Sequence, residues 1–197
     1  MLTKEEKLSK FLKFWFGNAD EAFNPAKLYD IWVKKWFAKN DDAVIMDNCC
    51  KQISELITEY ENYDTDDLYH LVALVIIYDQ LPRHVFKGTR KAYDYHAKAL
   101  AFAKKIMNSK YILPNIYYIP IIICYVHSEN FEDQKYIKDF VQKFSLNNKQ
   151  LLQSLSLIVN NHFTRVSLFG RIPERNKILS RTSTHEEFAY LSELYPV

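Results

Sequence analysis

Apolar side chains recur along this 197-residue chain at intervals of three and four, and blocks of strict alternation are missing, so helices are expected nearly throughout. Thr3 and Glu6 form a capping box, after which Leu8, Phe11, Leu12 and Trp15 line one face up to Gly17. Asn24 and Pro25 open a second helix with Leu28, Ile31, Trp32 and Trp36 on one side. Ile45, Cys49, Ile53, Leu56 and Tyr60 mark a third.

Asp64 is expected to cap a fourth helix, with Asp67 in its first turn, running through LVALVIIYDQL to a break at Pro82. That apolar run is too continuous for a surface helix. A fifth is expected from about Thr89, presenting Tyr93, Ala97, Leu100 and Ala101, and further helices over 115–126, 131–144, 148–165 and 184–194. Gly17, Gly88 and Gly170 fall at junctions, where glycine suits a reversal. The expected fold class is all-α, roughly eight to ten helices arranged as helical hairpins, with no sequence repeat at a fixed period.

Composition narrows the function classes. With 48% hydrophobic residues, the chain suffices for one helical domain over residues 1–197. Its 26 basic and 24 acidic residues nearly cancel, which argues against nucleic acid as a partner. The window 111–126 contains Pro114 and Pro120 and falls short of the ~20 residues of a spanning helix, so no membrane span is expected. Cys49, Cys50 and Cys124 offer no disulfide framework and no metal-ligand spacing, and the N-terminus lacks the features of a secretory signal. A reducing, cytoplasmic location is expected, with no cofactor and no metal.

The arginines are segregated. Arg83 and Arg90 lie in LPRHVFKGTR, and Arg165, Arg171, Arg175 and Arg181 in the stretch from 165 to 181; every other basic residue is a lysine. A guanidinium forks onto a carboxylate or phosphate in a way an ammonium does not. Around these segments the polar residues gather in four clusters.

Asp79, Gln80, Arg83 and His84 end the most apolar helix, where a carboxylate needs a cationic partner; with Pro82 between Asp79 and Arg83, that partner could equally come from elsewhere. Arg90, Tyr93 and Asp94 follow Gly88, and Arg90 and Asp94, at i and i+4, suit a pair on a helix face. His127, Ser128, Glu129 and Gln134 follow the apolar 118–126 segment, with Ser128 expected to cap the next helix. His162 and Arg165 share a helix face, and the loop beyond delivers Arg171, Arg175, Asn176, Arg181 and Thr184. Such a concentration of guanidiniums needs counter-charges, from Asp79, Asp94 and Glu129 or from an anionic ligand. Ser183 with Glu186, or Thr184 with Glu187, suits a capping box for the last helix.

The strings FWFG at 14–17, DQLPRHVFKGT at 79–89, HSEN with Gln134, and FGRIPERNKILSRTSTHEEFAYL at 169–191 resemble the bacterial "domain of unknown function 924" family. The resemblance spans nearly the whole chain in order. It implies antiparallel helix pairs stacked as in tetratricopeptide repeats, and no established activity. The chain departs from the family pattern at His84, usually Asn, at Lys87, usually Arg, and at Ser180, where a glycine usually precedes the last arginine.

Two functions compete at this level. In the first, Gln80, Arg83, Arg90, Arg165, Arg171, Arg175, Asn176, Arg181 and Thr184 bind an anionic small molecule carrying phosphate or carboxylate. His162, His127, Glu129 and Asp79 then supply acid-base or hydrolytic chemistry. In the second, a tetratricopeptide-like scaffold binds a peptide or protein partner through Trp15, Trp32, Trp36 and Phe37.

Overall fold

The computed structural model describes residues 2–16 and 55–194, and no strand occurs among them. The second expected helix lies outside the described residues, as does most of the third. Helix α1 (Lys4–Phe16) begins at the expected capping box: Thr3 N donates to Glu6 Oε2 at 2.9 Å and Glu6 N to Thr3 Oγ1 at 3.2 Å. Trp15, a candidate anchor for a partner, is instead wholly buried in the core.

Helix α2 (Leu68–Val75) is capped by Asp67, whose side chain accepts from His70 N, and not by Asp64. Asp64 closes a local turn onto Thr65 N, so the two residues between Asp64 and Asp67 stay outside the helix. At Pro82 the expected break does not occur. The helix passes through a π turn (Ile76–Gln80) straight into α3 (Leu81–Val85). A proline inside a helix lacks an N–H and clashes with the carbonyl four residues back, and a widened π turn just before it relieves both demands. π turns concentrate at functional sites, and this one carries Asp79 and Gln80.

Beyond Gly88, at φ +78°, the chain forms a short 3-10 turn (Arg90–Tyr93) and then α4 (His96–Met107), not one helix from Thr89. Its buried stripe is Ala99, Ala103 and Ile106, while Ala97 and Ala101 are exposed. Helix α5 (Tyr118–Val126) is buried from Ile119 to Val126, with Pro120 tolerated in its first turn. Then come α6 (Phe131–Lys143), α7 (Lys149–Phe169), a 3-10 turn (Pro173–Arg175) and α8 (His185–Leu194). Asn130 caps α6, so the cap expected at Ser128 lies two residues later. Ser128 Oγ instead donates to Asp133 at 2.8 Å. Helix α7 runs past Arg165 to Phe169 and stops where Gly170 turns left-handed at φ +66°.

Helix α2 packs on α1 and α4, α6 packs on α7, and α5 touches α2, α4, α6 and α7. The core is therefore α2 and α5 back to back, flanked by α1, α4, α6 and α7. The C-terminal end of each buried helix, Asp79 beyond α2 and His127 after α5, brings polar groups to one end of that core. No helix among the described residues is long and apolar enough to cross a membrane.

Candidate functional site

Asp79 is 1% exposed, and its two oxygens gather side chains from four segments. His127 Nδ1 meets Oδ2 at 2.7 Å, and Gln80 Nε2 donates to the same oxygen at 2.9 Å. His96 Nδ1 meets Oδ1 at 3.0 Å, and Arg83 donates to it from Nε and Nη2 at 3.4 and 3.3 Å. Because the helix continues through Pro82, Arg83 reaches Asp79 at i+4 after all. Burial opposes ionisation of Asp79, but His127, Arg83 and the imidazole hydrogen bonds outweigh it, holding the carboxyl well below its ordinary range.

An ionised Asp79 fixes the tautomers. It only accepts, so His127 and His96 each present Nδ1–H to it. No hydrogen bond among the described residues engages His127 Nε2, whereas His96 Nε2 is buried without a partner. Burial first, and then the Arg83 charge, push His127 down to about 3 against the pull of Asp79. Its ring is therefore neutral at pH 7, with a lone pair on Nε2.

The ring centroid of His162 lies 6.4 Å from that of His127. His162 Nδ1 donates to Ile158 O at 2.9 Å, so its Nε2 carries the lone pair as well. Burial pushes His162 down to about 4, helped by the charges of Arg165, Arg175 and Arg83. His96, absent from the expected site, is the third imidazole of the group, 6.4 Å from His127 between ring centroids. His84 is not among the groups that meet Asp79.

The sulfur of Cys124 lies with donor atoms of Asp79 and His96 in a trio within 4.8 Å of one another. Burial and the Asp79 charge hold this cysteine as a thiol, well above its ordinary pKa. Arg83 on the same carboxylate opposes a cation there.

The arginines divide into two groups. Arg171 forks onto Glu187 at 2.6 and 2.8 Å, and Arg165 Nε pairs with Glu174 at 2.7 Å and donates to Tyr190 Oη at 2.9 Å. Arg181 forks onto Glu129 at 2.6 and 3.1 Å. Thr184 and Glu187 form the capping box, while Asn176 Nδ2 donates to both Ser183 and Glu187. These residues tie the last loop to α7, α8 and the segment after α5. Arg90 is exposed and makes no pair with Asp94, because the 3-10 turn denies them α-helical spacing. Asp94 is exposed too and is no counter-charge.

Arg83 and Arg175 form the second group. Arg175 is 9% exposed, donates to His127 O at 2.9 Å and lies 3.6 Å from Glu129. Burial and the Arg83 charge push it down to about 10, so it stays charged at pH 7. Three guanidiniums, Arg83, Arg175 and Arg181, thus share the carboxylates of Asp79 and Glu129. A hollow of about 720 Å³ between the arginine loop and α8 is lined by Lys177, Ser183, Phe188 and Leu191 among others. It includes neither Asp79 nor the three imidazoles.

Residues 11–194 match the family described as "Bacterial protein of unknown function (DUF924)". The chain belongs to the DUF924 family. No curated protein matches the sequence. The fold is similar to a solved structure of a protein of unknown function, ATU0120 from Agrobacterium tumefaciens, with 21% identity and a TM-score of 0.62. The alignment covers 97% of this chain and 99% of that one, and at this identity it speaks to fold alone.

The resemblance to the DUF924 pattern expects a glycine where Ser180 stands, and the backbone there has the conformation that favours one. Ser180 adopts φ +55°, and Arg181 N closes back onto Asn176 O at 2.8 Å, a reversal that returns Arg181 toward Glu129. Glycine takes that conformation without the Cβ penalty. Ser180→Gly is expected to stabilise the protein by about 1 kcal/mol in urea unfolding, with Ser180→Ala giving no gain.

Proposed function

We propose that this protein binds a small anionic molecule beside His127 and moves a proton to or from it, with His127 Nε2 as general base and Asp79 as the group that orients the ring. The observation that carries the reading is the 2.7 Å contact between Asp79 and His127, which leaves a neutral imidazole with its Nε2 unengaged. A buried carboxylate behind an imidazole fixes the basic tautomer, and the charge of a bound anion offsets the guanidiniums that, with burial, hold the ring's basicity low. The anion follows from charge: three guanidiniums over two carboxylates leave a positive surplus, and Arg83 and Arg175 hold it within reach of the imidazoles. His162, with the same tautomer, is the second proton-transfer group. Gln80 supports Asp79 from behind, donating also to Pro120 O. Arg165, Arg171, Arg181, Asn176, Thr184 and Glu129 support the site by holding the arginine loop in place.

Thermal unfolding with inorganic phosphate, nucleotides, sugar phosphates and organic acids tests the reading. A ligand at a hundred times its Kd stabilises the folded state by about 2.7 kcal/mol, which raises the midpoint. At least one anion is expected to raise it in the parent and to do so far less in Arg175→Lys, which loses the fork. A panel without any shift, or an equal shift in Arg175→Lys, defeats the proposal. With a substrate from that screen, His127→Gln is expected to lower turnover by roughly 10²- to 10⁴-fold.

A further inference from the structure

Two guanidiniums from distant parts of the chain meet at one aromatic ring. Arg83 Cζ lies 4.9 Å from the centroid of Tyr93 and Arg175 Cζ lies 5.2 Å from it. Arg83 comes from α3 and Arg175 from the 3-10 turn after α7, and like charges so placed repel unless something holds them. Each has only a share of a carboxylate: Asp79 also serves His96, His127 and Gln80, and Glu129 is forked by Arg181.

The electron-rich ring of Tyr93 supplies what the carboxylates do not. A guanidinium within about 6 Å of an aromatic centroid is attracted by the ring quadrupole, more strongly where water is excluded. Arg83 and Arg175 side chains are 16% and 11% exposed, so both contacts lie in largely dry surroundings. Tyr93 is itself fixed, as the last residue of the 3-10 turn whose Ala92 is buried. The backbone three residues on starts α4 with His96, so one short segment sets both the ring and an imidazole on Asp79.

We infer that Tyr93 is the positioning residue of the anion site, its ring holding Arg83 and Arg175 as a preorganised pair that presents two guanidinium forks to one oxyanion. This rests on the anion reading above for its functional meaning, and on the two ring contacts for its geometry. Without the ring the two cations are free to part, and an arriving anion has to draw them together again. The aromatic face does the holding, and the phenol hydroxyl does not, so phenylalanine replaces tyrosine here and leucine does not.

The test uses the full chain as parent, Tyr93→Phe and Tyr93→Leu. Inorganic phosphate is titrated calorimetrically, and the Arg83 and Arg175 δ-proton shifts are read by NMR in phosphate-free buffer. Phosphate affinity is expected to fall about tenfold or more in Tyr93→Leu and to stay within about twofold in Tyr93→Phe. The ring-current displacement of both arginines' δ protons is expected to vanish in Tyr93→Leu only. Equal affinity in Tyr93→Leu, or an equal loss in Tyr93→Phe, overturns the inference. A parent that binds no phosphate counts against the anion reading, and the NMR arm still decides whether Tyr93 holds the pair. Unmoved δ-proton shifts in Tyr93→Leu overturn it even then.

Discussion

Acidification from pH 7 to pH 4.5 is expected to remove several kcal/mol of folding stability, through His127 and His162. Both are pushed below the ordinary histidine value of 6.5 in the folded protein, to about 3 and about 4, chiefly by burial and by the nearby guanidiniums. Between 6.5 and those values the unfolded chain takes up protons that the folded chain refuses, so stability is fully present above 6.5 and falls as pH falls. Each ring contributes a slope of about 1.4 kcal/mol per pH unit in that window. At pH 4.5 the two together cost about 5 kcal/mol, comparable with the whole stability of many domains. Asp79 is shifted in the opposite sense to a raised carboxyl, so its contribution is present above 3.8 and is lost only at lower pH. The window from 6.5 to 4.5 therefore belongs to the imidazoles, to which His84, also pushed down by burial and by the Lys87 charge, adds in the same sense. Urea titrations at half-unit steps of pH measure the slope directly, and His162→Gln is expected to flatten it by about a third to a half. If His162→Gln and the parent share one slope, His162 is not buried in its neutral form.

The imidazole group also shows where the sequence is readable and where it is not. Asp79, Arg83, His127, His162 and Arg175 stand out because each is a polar residue at the end of an apolar run or in an arginine segment, and the structure brings all five together. Tyr93 stands near Arg90 in the sequence, but its meeting with Arg83 and Arg175 is long-range, and His96 depends on register. A stripe read through Ala97 and Ala101 turns His96 sideways, whereas the buried stripe of Ala99, Ala103 and Ile106 places His96 three residues before Ala99, on the inner face. Helical periodicity alone does not choose between two alanine stripes one or two residues apart. The counter-charges were half legible for a related reason. Glu129 and Asp79 follow apolar helices, but Glu174 lies inside the arginine loop, and only the path of that loop shows it meeting Arg165. The helix start at Thr3 was readable, because a side chain closes a short ring there, whereas α7 runs beyond its expected end at 165 to the left-handed Gly170. Helix ends were not readable where local rules conflict. Pro82 predicts a break, and the long-range demand to bury Leu71 through Leu81 keeps the helix going at the expense of one wide turn.

Asp79→Asn is expected to be the most damaging single substitution, costing about 3–5 kcal/mol, because it leaves buried donors around a neutral amide. Oδ1 of Asp79 accepts from Arg83 and His96, and Oδ2 accepts from His127 and Gln80. Whichever way the asparagine amide is turned, its NH2 group faces one of these sets of donors. On the Arg83 side the guanidinium cannot adapt, since it has no acceptor. On the His127 side the ring can shift its proton to Nε2 and accept from the amide, which relieves the contact and removes the lone pair a general base requires. Stability and proton transfer are thus separable in one variant: the more the fold recovers, the more completely His127 is trapped in the inactive tautomer. Removing the Arg83 charge at the same time relieves the uncompensated cation, so Asp79→Asn combined with Arg83→Met is expected to cost less than the sum of the two single changes, by more than about 1 kcal/mol. Urea unfolding of the four proteins closes the cycle, and nitrogen NMR of the His127 ring reports the tautomer. Additive costs, or an Asp79→Asn protein as stable as the parent with its proton still on Nδ1, are incompatible with a carboxylate that holds this group of donors together.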